Sequence, residues 1–244
     1  MHLKVKICGI TTPDDAQAAI DAGADYLGLN FLAGPRRISL STAATIAAAV
    51  PNPIKIVALT GTRPTHPDAP TLAAIIDALP RVHAFQLYGP PPFEQHDFHG
   101  GEYWIVAHLD PVAPDSQPHP KSPQAQGSQS LGLRAQISDR LDLLDFLPHA
   151  LVADRKVGTQ LGGTGQPLDW AALHTAWNAL RRTRTLPKMV LAGGLNPGNV
   201  ATAIRAAHPT IVDVSSGVER DGQPGRTDPE KMRAFIDAVR TAGT

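Results

Sequence analysis

Eight short apolar runs alternate with longer helix-like segments along this chain, and that alternation constrains the fold more than any single motif. The runs are Val5 to Cys8, Tyr26 to Phe31, Ile54 to Leu59, Ala84 to Leu87, Trp104 to His108, Ala150 to Ala153, Lys188 to Ala192 and Ile211 to Val214. Each is rich in Val, Ile, Leu or aromatic residues and lacks the polar alternation of a half-exposed strand, as expected of parallel strands covered on both faces. Between them, Pro13 to Ala22 opens with Thr12 at a cap position and stops at Gly23, while Pro197 to Ala206 and Asp228 to Thr241 read as helices by the same logic. Eight strand-helix units in 244 residues favour one closed (β/α)8 barrel over a doubly wound sheet. The expectation is a single α/β domain spanning 1–244.

Two segments interrupt the rhythm. Asp110 to Gln129 carries Pro, Ser, Gln and His with almost no apolar residue, which predicts a long irregular surface loop after strand five. Pro90 to Gly101 holds three consecutive prolines and no helical period, so the fourth and fifth helices are expected to be weak or short.

In such a barrel the active site lies at the carboxyl ends of the strands, and the loops after strands seven and eight commonly take a phosphate. Here those loops are LAGGLNPGNV and VSSGVE, whose small residues leave backbone amides open to an anion. Gly193, Gly194, Ser215, Ser216 and Gly217 are therefore the candidate phosphate ligands, and a phosphorylated small molecule is the expected partner. Twenty-two basic residues balance twenty-two acidic ones, so no global field draws the chain to nucleic acid or to an anionic membrane. No run approaches the roughly 18 apolar residues of a membrane span, and MHLKVKICGI has no leader-like apolar stretch. A cytoplasmic protein, monomer or homodimer, is the expectation. One cysteine excludes an internal disulfide and a thiolate-cluster metal site, so no metal is expected.

The remaining strand-end polar residues are Cys8, Asn30, Arg36, Gln86, Asp154 and Asp213. A lone cysteine reads either as a small buried hydrophobe or, at the mouth of strand one before Gly9, as a thiolate base. Asp154, ending ALVAD, reads either as a loop or cap residue or as a general acid whose pKa is raised by partial burial. In GPRRIS either Arg36 or Arg37 can fork onto a carboxylate. The glycines of LGGTG, Gly162 to Gly165, suit either a plain turn or a mobile loop over the site.

Six segments, in order, resemble phosphoribosylanthranilate isomerases. They are KICGITTPDDAQAAIDAGADYLGLNF, GPRRIS, FQLYG, LVADRKVGTQLGGTGQPLDW, LAGGLNPGNV and IVDVSSGVERDGQPGRTDPEKMRAFI. The resemblance implies conversion of N-(5-phosphoribosyl)anthranilate to 1-(2-carboxyphenylamino)-1-deoxyribulose 5-phosphate in tryptophan biosynthesis, by an Amadori rearrangement that needs no cofactor. It implies Cys8 as general base and Asp154 as general acid, Arg36 on the anthranilate carboxylate, and Gln86 and Asp213 lining the site. The chain departs from the family at Gly34, at Tyr88 and in IVALTGT. It departs also at Arg155, whose cation is expected to favour the ionised form of its neighbour. Two alternatives remain: an isomerase or lyase of the phosphate-binding barrels with another sugar phosphate, and a non-catalytic binder of a phosphorylated ligand.

Overall fold

A computed structural model describes residues 3–62, 66–89, 100–110, 123–155 and 168–243, the side chains of 123–128 excepted. Its strands are β1 (Lys4–Cys8), β2 (Tyr26–Asn30), β3 (Lys55–Gly61), β4 (Val82–Tyr88), β5 (Glu102–Leu109), β6 (Ala150–Arg155), β7 (Lys188–Leu191) and β8 (Ile211–Val214). All pair in parallel in chain order, and β8 returns to β1 to close the barrel. The eight sequence runs fall within these strands or overrun an end by a residue.

The period of two along each strand sorts the side chains. On β1, Val5 and Ile7 face outward to the helices while Lys6 and Cys8 alternate with them; on β6, Leu151 and Ala153 alternate with Ala150, Val152 and Asp154. The outward set joins one large apolar layer with the helices, and the inward set forms a second, smaller cluster inside the barrel. Trp104 is fully buried in that inner cluster, edge-on to Tyr26 at 5.2 Å between ring centres. Together they help fill the interior of the barrel.

The helices are α1 (Pro13–Ala22), α2 (Leu40–Ala49), α3 (Leu72–Ala78), α4 (Pro123–Asp142), α5 (Trp170–Leu180), α6 (Val200–Ala207) and α7 (Pro229–Ala242). The first is as expected: the Thr12 hydroxyl accepts from the Asp15 amide, and Gly23, at φ +96°, ends the helix. The sixth starts later than Pro197, because Asn199 Oδ1 accepts from the Asn196 amide and Asn196 Oδ1 from the Gly198 amide. Those side chains offer the backbone a turn in place of a helix.

The loop expected over Asp110 to Gln129 is corrected in part. A 20-residue helix begins at Pro123, so the fifth crossover is neither weak nor short. Its first residues look loop-like by composition, yet proline is preferred at a helix start, and Leu133, Ile137 and Leu141 recur at helical spacing on its buried side. Residues 111–122, the prolines at 90–92 and the glycines at 162–165 lie outside the described residues. Among the described residues no helix is long and apolar enough to cross a membrane.

Candidate active site

A cavity of about 700 Å³ opens at the carboxyl ends of the strands. Cys8, Arg36, Gln86, Asp154, Asp213, Gly193, Gly194, Ser215 and Ser216 all line it, so nine of the ten site residues expected from sequence converge on one hollow. Gly217 sits behind the lining. A Cβ there would stand 1.9 Å from the Leu195 carbonyl oxygen, so only glycine lets the loop after β8 pack backbone against backbone on the loop after β7.

Those two loops lie together at one end of the cavity. Gly193 and Gly194 have φ of +81° and +67°, a left-handed pair that turns the chain sharply at the end of β7. Gly193 also lies against the acid candidate, since a Cβ would come within 2.6 Å of Asp154 Oδ1. Ser216–Val218 winds a single 3-10 turn after β8. Among the described residues no backbone carbonyl outside the helices and strands accepts from the Gly194, Ser216 or Gly217 amides.

Asp154 is buried, and its Oδ1 has no hydrogen-bond partner among the described residues. Burial first, and the neighbouring Asp213 carboxylate second, push its pKa from 3.8 to about 7. Arg155, expected to hold the acid ionised, acts through its backbone N–H only; its guanidinium is not among the groups that shift Asp154. That expectation is therefore corrected: the next residue on a strand carries its side chain to the opposite face. A carboxyl raised that far holds a proton into the neutral range, the state a proton donor needs.

Cys8 is buried too. Desolvation raises its thiol to about 11, with Lys6 the strongest opposing influence and Arg36 a weaker one. Lys6, absent from the sequence candidates, is fully buried with Nζ 2.7 Å from Asp213 Oδ2. Burial alone pulls the Lys6 pKa down, but Asp213 and Cys8 outweigh it and keep the ammonium charged. Asp213 is thus tied to an internal cation as well as lining the cavity. Its parity with Lys6 was a readable signal, since both lie an even step from an inward strand residue.

Arg36 and Arg37 separate. Arg37 Nη1 lies 3.1 Å from His66 Nδ1, outside the cavity. Arg36 reaches the cavity, but not as an idle cation: its Nε and Nη2 donate to the two carboxylate oxygens of Glu219 at 2.6 and 2.8 Å. Glu219 Oε1 also accepts from the Gly225 amide at 2.7 Å. A guanidinium has five N–H groups, so three remain, enough for a second carboxylate to bind end-on across Nη1 and Nη2. Glu219 was missed because it lies five residues beyond β8, where the strand pattern no longer assigns a direction. Gln86 Nε2 donates to the Tyr88 hydroxyl at 2.9 Å. Burial and the charges of Asp154, Cys8 and Asp213 hold Tyr88 well above its usual pKa, so it stays a neutral phenol in the cavity. Among the described residues no three His, Cys, Asp or Glu side chains are grouped to hold a metal ion.

Residues 120–238 match the family model for N-(5'-phosphoribosyl)anthranilate (PRA) isomerase. Over 99% of its length the chain is 35% identical to the N-(5'-phosphoribosyl)anthranilate isomerase of Magnetococcus marinus, covering 97% of that protein. It is 35% identical to the enzyme of the same name from Parvibaculum lavamentivorans, across 99% of this chain and 100% of the other. Among solved structures, the phosphoribosyl anthranilate isomerase of Thermotoga maritima superposes with a TM-score of 0.73 over 98% of this chain and 99% of its own, at 24% identity, and shares the fold. A second structure of the Thermotoga maritima enzyme, described as monomers generated from the dimeric protein, gives 0.69 at 25% identity, with the same coverage.

Proposed function

The chain belongs to the N-(5'-phosphoribosyl)anthranilate isomerase family, and we propose that Cys8 and Asp154 carry its reaction as general base and general acid. The protein is an isomerase of tryptophan biosynthesis, converting N-(5-phosphoribosyl)anthranilate to 1-(2-carboxyphenylamino)-1-deoxyribulose 5-phosphate. The observation that carries the residue assignment is the convergence of a buried thiol on β1 and a carboxyl raised to about 7 on β6, at one cavity beside an anion-binding loop pair.

Asp154 protonates the furanose ring oxygen as the aniline nitrogen lone pair expels it, breaking the C1–O bond and leaving a protonated Schiff base at C1. Cys8 thiolate then takes the proton from C2, and the electron pair of that C–H bond flows into the C1–N cation to give an enolamine. Tautomerisation yields the ketone at C2. The Schiff-base cation is the electron sink.

Phosphate rests on Gly193, Gly194, Ser215, Ser216 and Gly217, the ring carboxylate on the free edge of Arg36, and Gln86 and Asp213 border the ribose. The partner is this phosphorylated small molecule; balanced charge supports neither nucleic acid nor membrane. The protein acts as a monomer or a homodimer in the cytoplasm. Restored growth of a tryptophan auxotroph lacking this isomerase tests the reaction, and Cys8→Ser tests the base. The variant should fold with its substrate affinity intact and lose about a hundredfold or more in turnover, the low end of what a general base contributes. Turnover above about a tenth of wild type rejects Cys8 as the base.

A further inference from the structure

Lys6 has no part in the reading above, yet it is a fully buried lysine two residues before the proposed base. It is not among the residues that line the cavity. A buried ion pair is weak support for a fold, because apolar residues of similar volume commonly do as well. What sets this pair apart is its company. Lys6 Nζ holds one oxygen of Asp213 at 2.7 Å, the other oxygen of Asp213 has no partner among the described residues, and Cys8 lies on the same inward face of β1.

We propose that Lys6 is a positioning residue that supplies the counter-charge for the Cys8 thiolate, with Asp213 pinning its ammonium at that place. The inference rests on Cys8 being the base. The groups facing Cys8 are Lys6 on its own strand, Asp213 from β8, Arg36 from the loop after β2 and Tyr88 from β4. Of the charges, Lys6 and Arg36 favour the thiolate and Asp213 opposes it, with Lys6 the strongest. Asp213 is also felt by Asp154, whose proton it helps to retain. Each charge acts on both groups, but Lys6 outweighs Asp213 at Cys8 and Asp213 outweighs Lys6 at Asp154, the two directions an acid-base pair needs. Lys6 keeps its own proton throughout; it stabilises the anion that accepts the C2 proton.

The chain has one cysteine, so its ionisation can be read without interference, from the rate of alkylation by iodoacetamide between pH 7 and 11. The variants are Lys6→Met and the charge-neutral double variant Lys6→Met/Asp213→Asn, which leaves no unpaired buried carboxylate if the single change does not fold. In Lys6→Met alkylation at pH 8 should slow by about tenfold or more, and in the double variant, which also loses the carboxylate that opposes the thiolate, by less but in the same direction. In Lys6→Met turnover should fall in parallel, recover toward high pH, and leave KM within about threefold, since a residue that acts only on the thiolate does not alter ground-state binding. An alkylation profile that coincides with wild type in a folded variant overturns the proposal. Cys8→Ser with full turnover instead overturns Cys8 as the base and leaves the alkylation shift standing, so the two failures differ.

Discussion

Replacing Asp154 by asparagine should make the protein more stable while removing its activity, and the gain should depend on pH in a defined way. The carboxyl titrates at 3.8 when free and at about 7 in the fold, where it is buried beside Asp213. Below 3.8 it is protonated in both states and contributes nothing. As pH rises from there, the unfolded chain loses the proton and the folded chain keeps it, so the native state binds more protons and stability falls. Each pH unit between the two values costs about 1.36 kcal/mol, which sums to about 4 kcal/mol once the folded pKa is passed. Asparagine has nearly the same shape and no such charge. The difference in unfolding free energy between Asp154→Asn and wild type should therefore be about 0.5 kcal/mol at pH 4, about 1.7 kcal/mol at pH 5, and level off near 4 kcal/mol above pH 7. Urea unfolding at a series of pH values measures it directly. A difference that is flat with pH, or a variant less stable than wild type at pH 8, refutes burial as the cause of the raised pKa. In turnover assays the same variant should lose kcat far more than it gains KM, because the lost interaction belongs to the transition state.

Glu219→Gln should raise KM about tenfold with kcat little changed, because it frees the Nε edge of Arg36 and lets the guanidinium leave its bidentate geometry; steady-state kinetics check it, and an unchanged KM rejects Glu219 as the residue that sets Arg36. Arg36→Ala should cost about 2 to 5 kcal/mol in kcat/KM, while Arg37→Ala, bonded to His66 outside the cavity, should stay within about 0.5 kcal/mol. Gly217→Ala must move either the loop after β8 or Leu195, and should destabilise the fold by about 1 to 3 kcal/mol and weaken the protection from heat that inorganic phosphate gives; melting curves with and without phosphate report both.

The barrel and most of the cavity lining were legible because both follow from local rules. Runs such as Ala150 to Ala153 are apolar on consecutive residues, which marks a strand covered on two faces, and a polar residue closing such a run lies at the barrel mouth. Cys8 and Asp154 were found in this way, and Gln86 and Asp213 by standing one residue before the end of theirs. The start of α4 was not, because Pro, Gln and Ser at 123–130 have the composition of a loop, and the apolar positions that pack the helix come only from Leu133 onward. Arg155 misled for the opposite reason. Its closeness to Asp154 in sequence suggested a charge contact, but adjacent strand residues point to opposite faces, and only the backbone amide of Arg155 reaches the acid.

What tunes the site was hidden because it is built from contacts between residues far apart in the chain. Lys6 meets Asp213 across 207 residues and Arg36 meets Glu219 across 183. Both join the first two strand-helix units to the last, across the same seam where β8 pairs with β1, with Lys6 in register with Asp213. No local pattern can announce such a partner, since each residue alone reads as an ordinary charge. The placement has a functional consequence. Until the seam closes, Cys8 has no cation held beside it, Asp154 has no neighbouring carboxylate to retain its proton, and Arg36 has no partner to set its plane. Barrel closure and assembly of a competent acid-base pair are on this reading one event, and the residues that join them are the ones whose loss should separate a folded barrel from an active one.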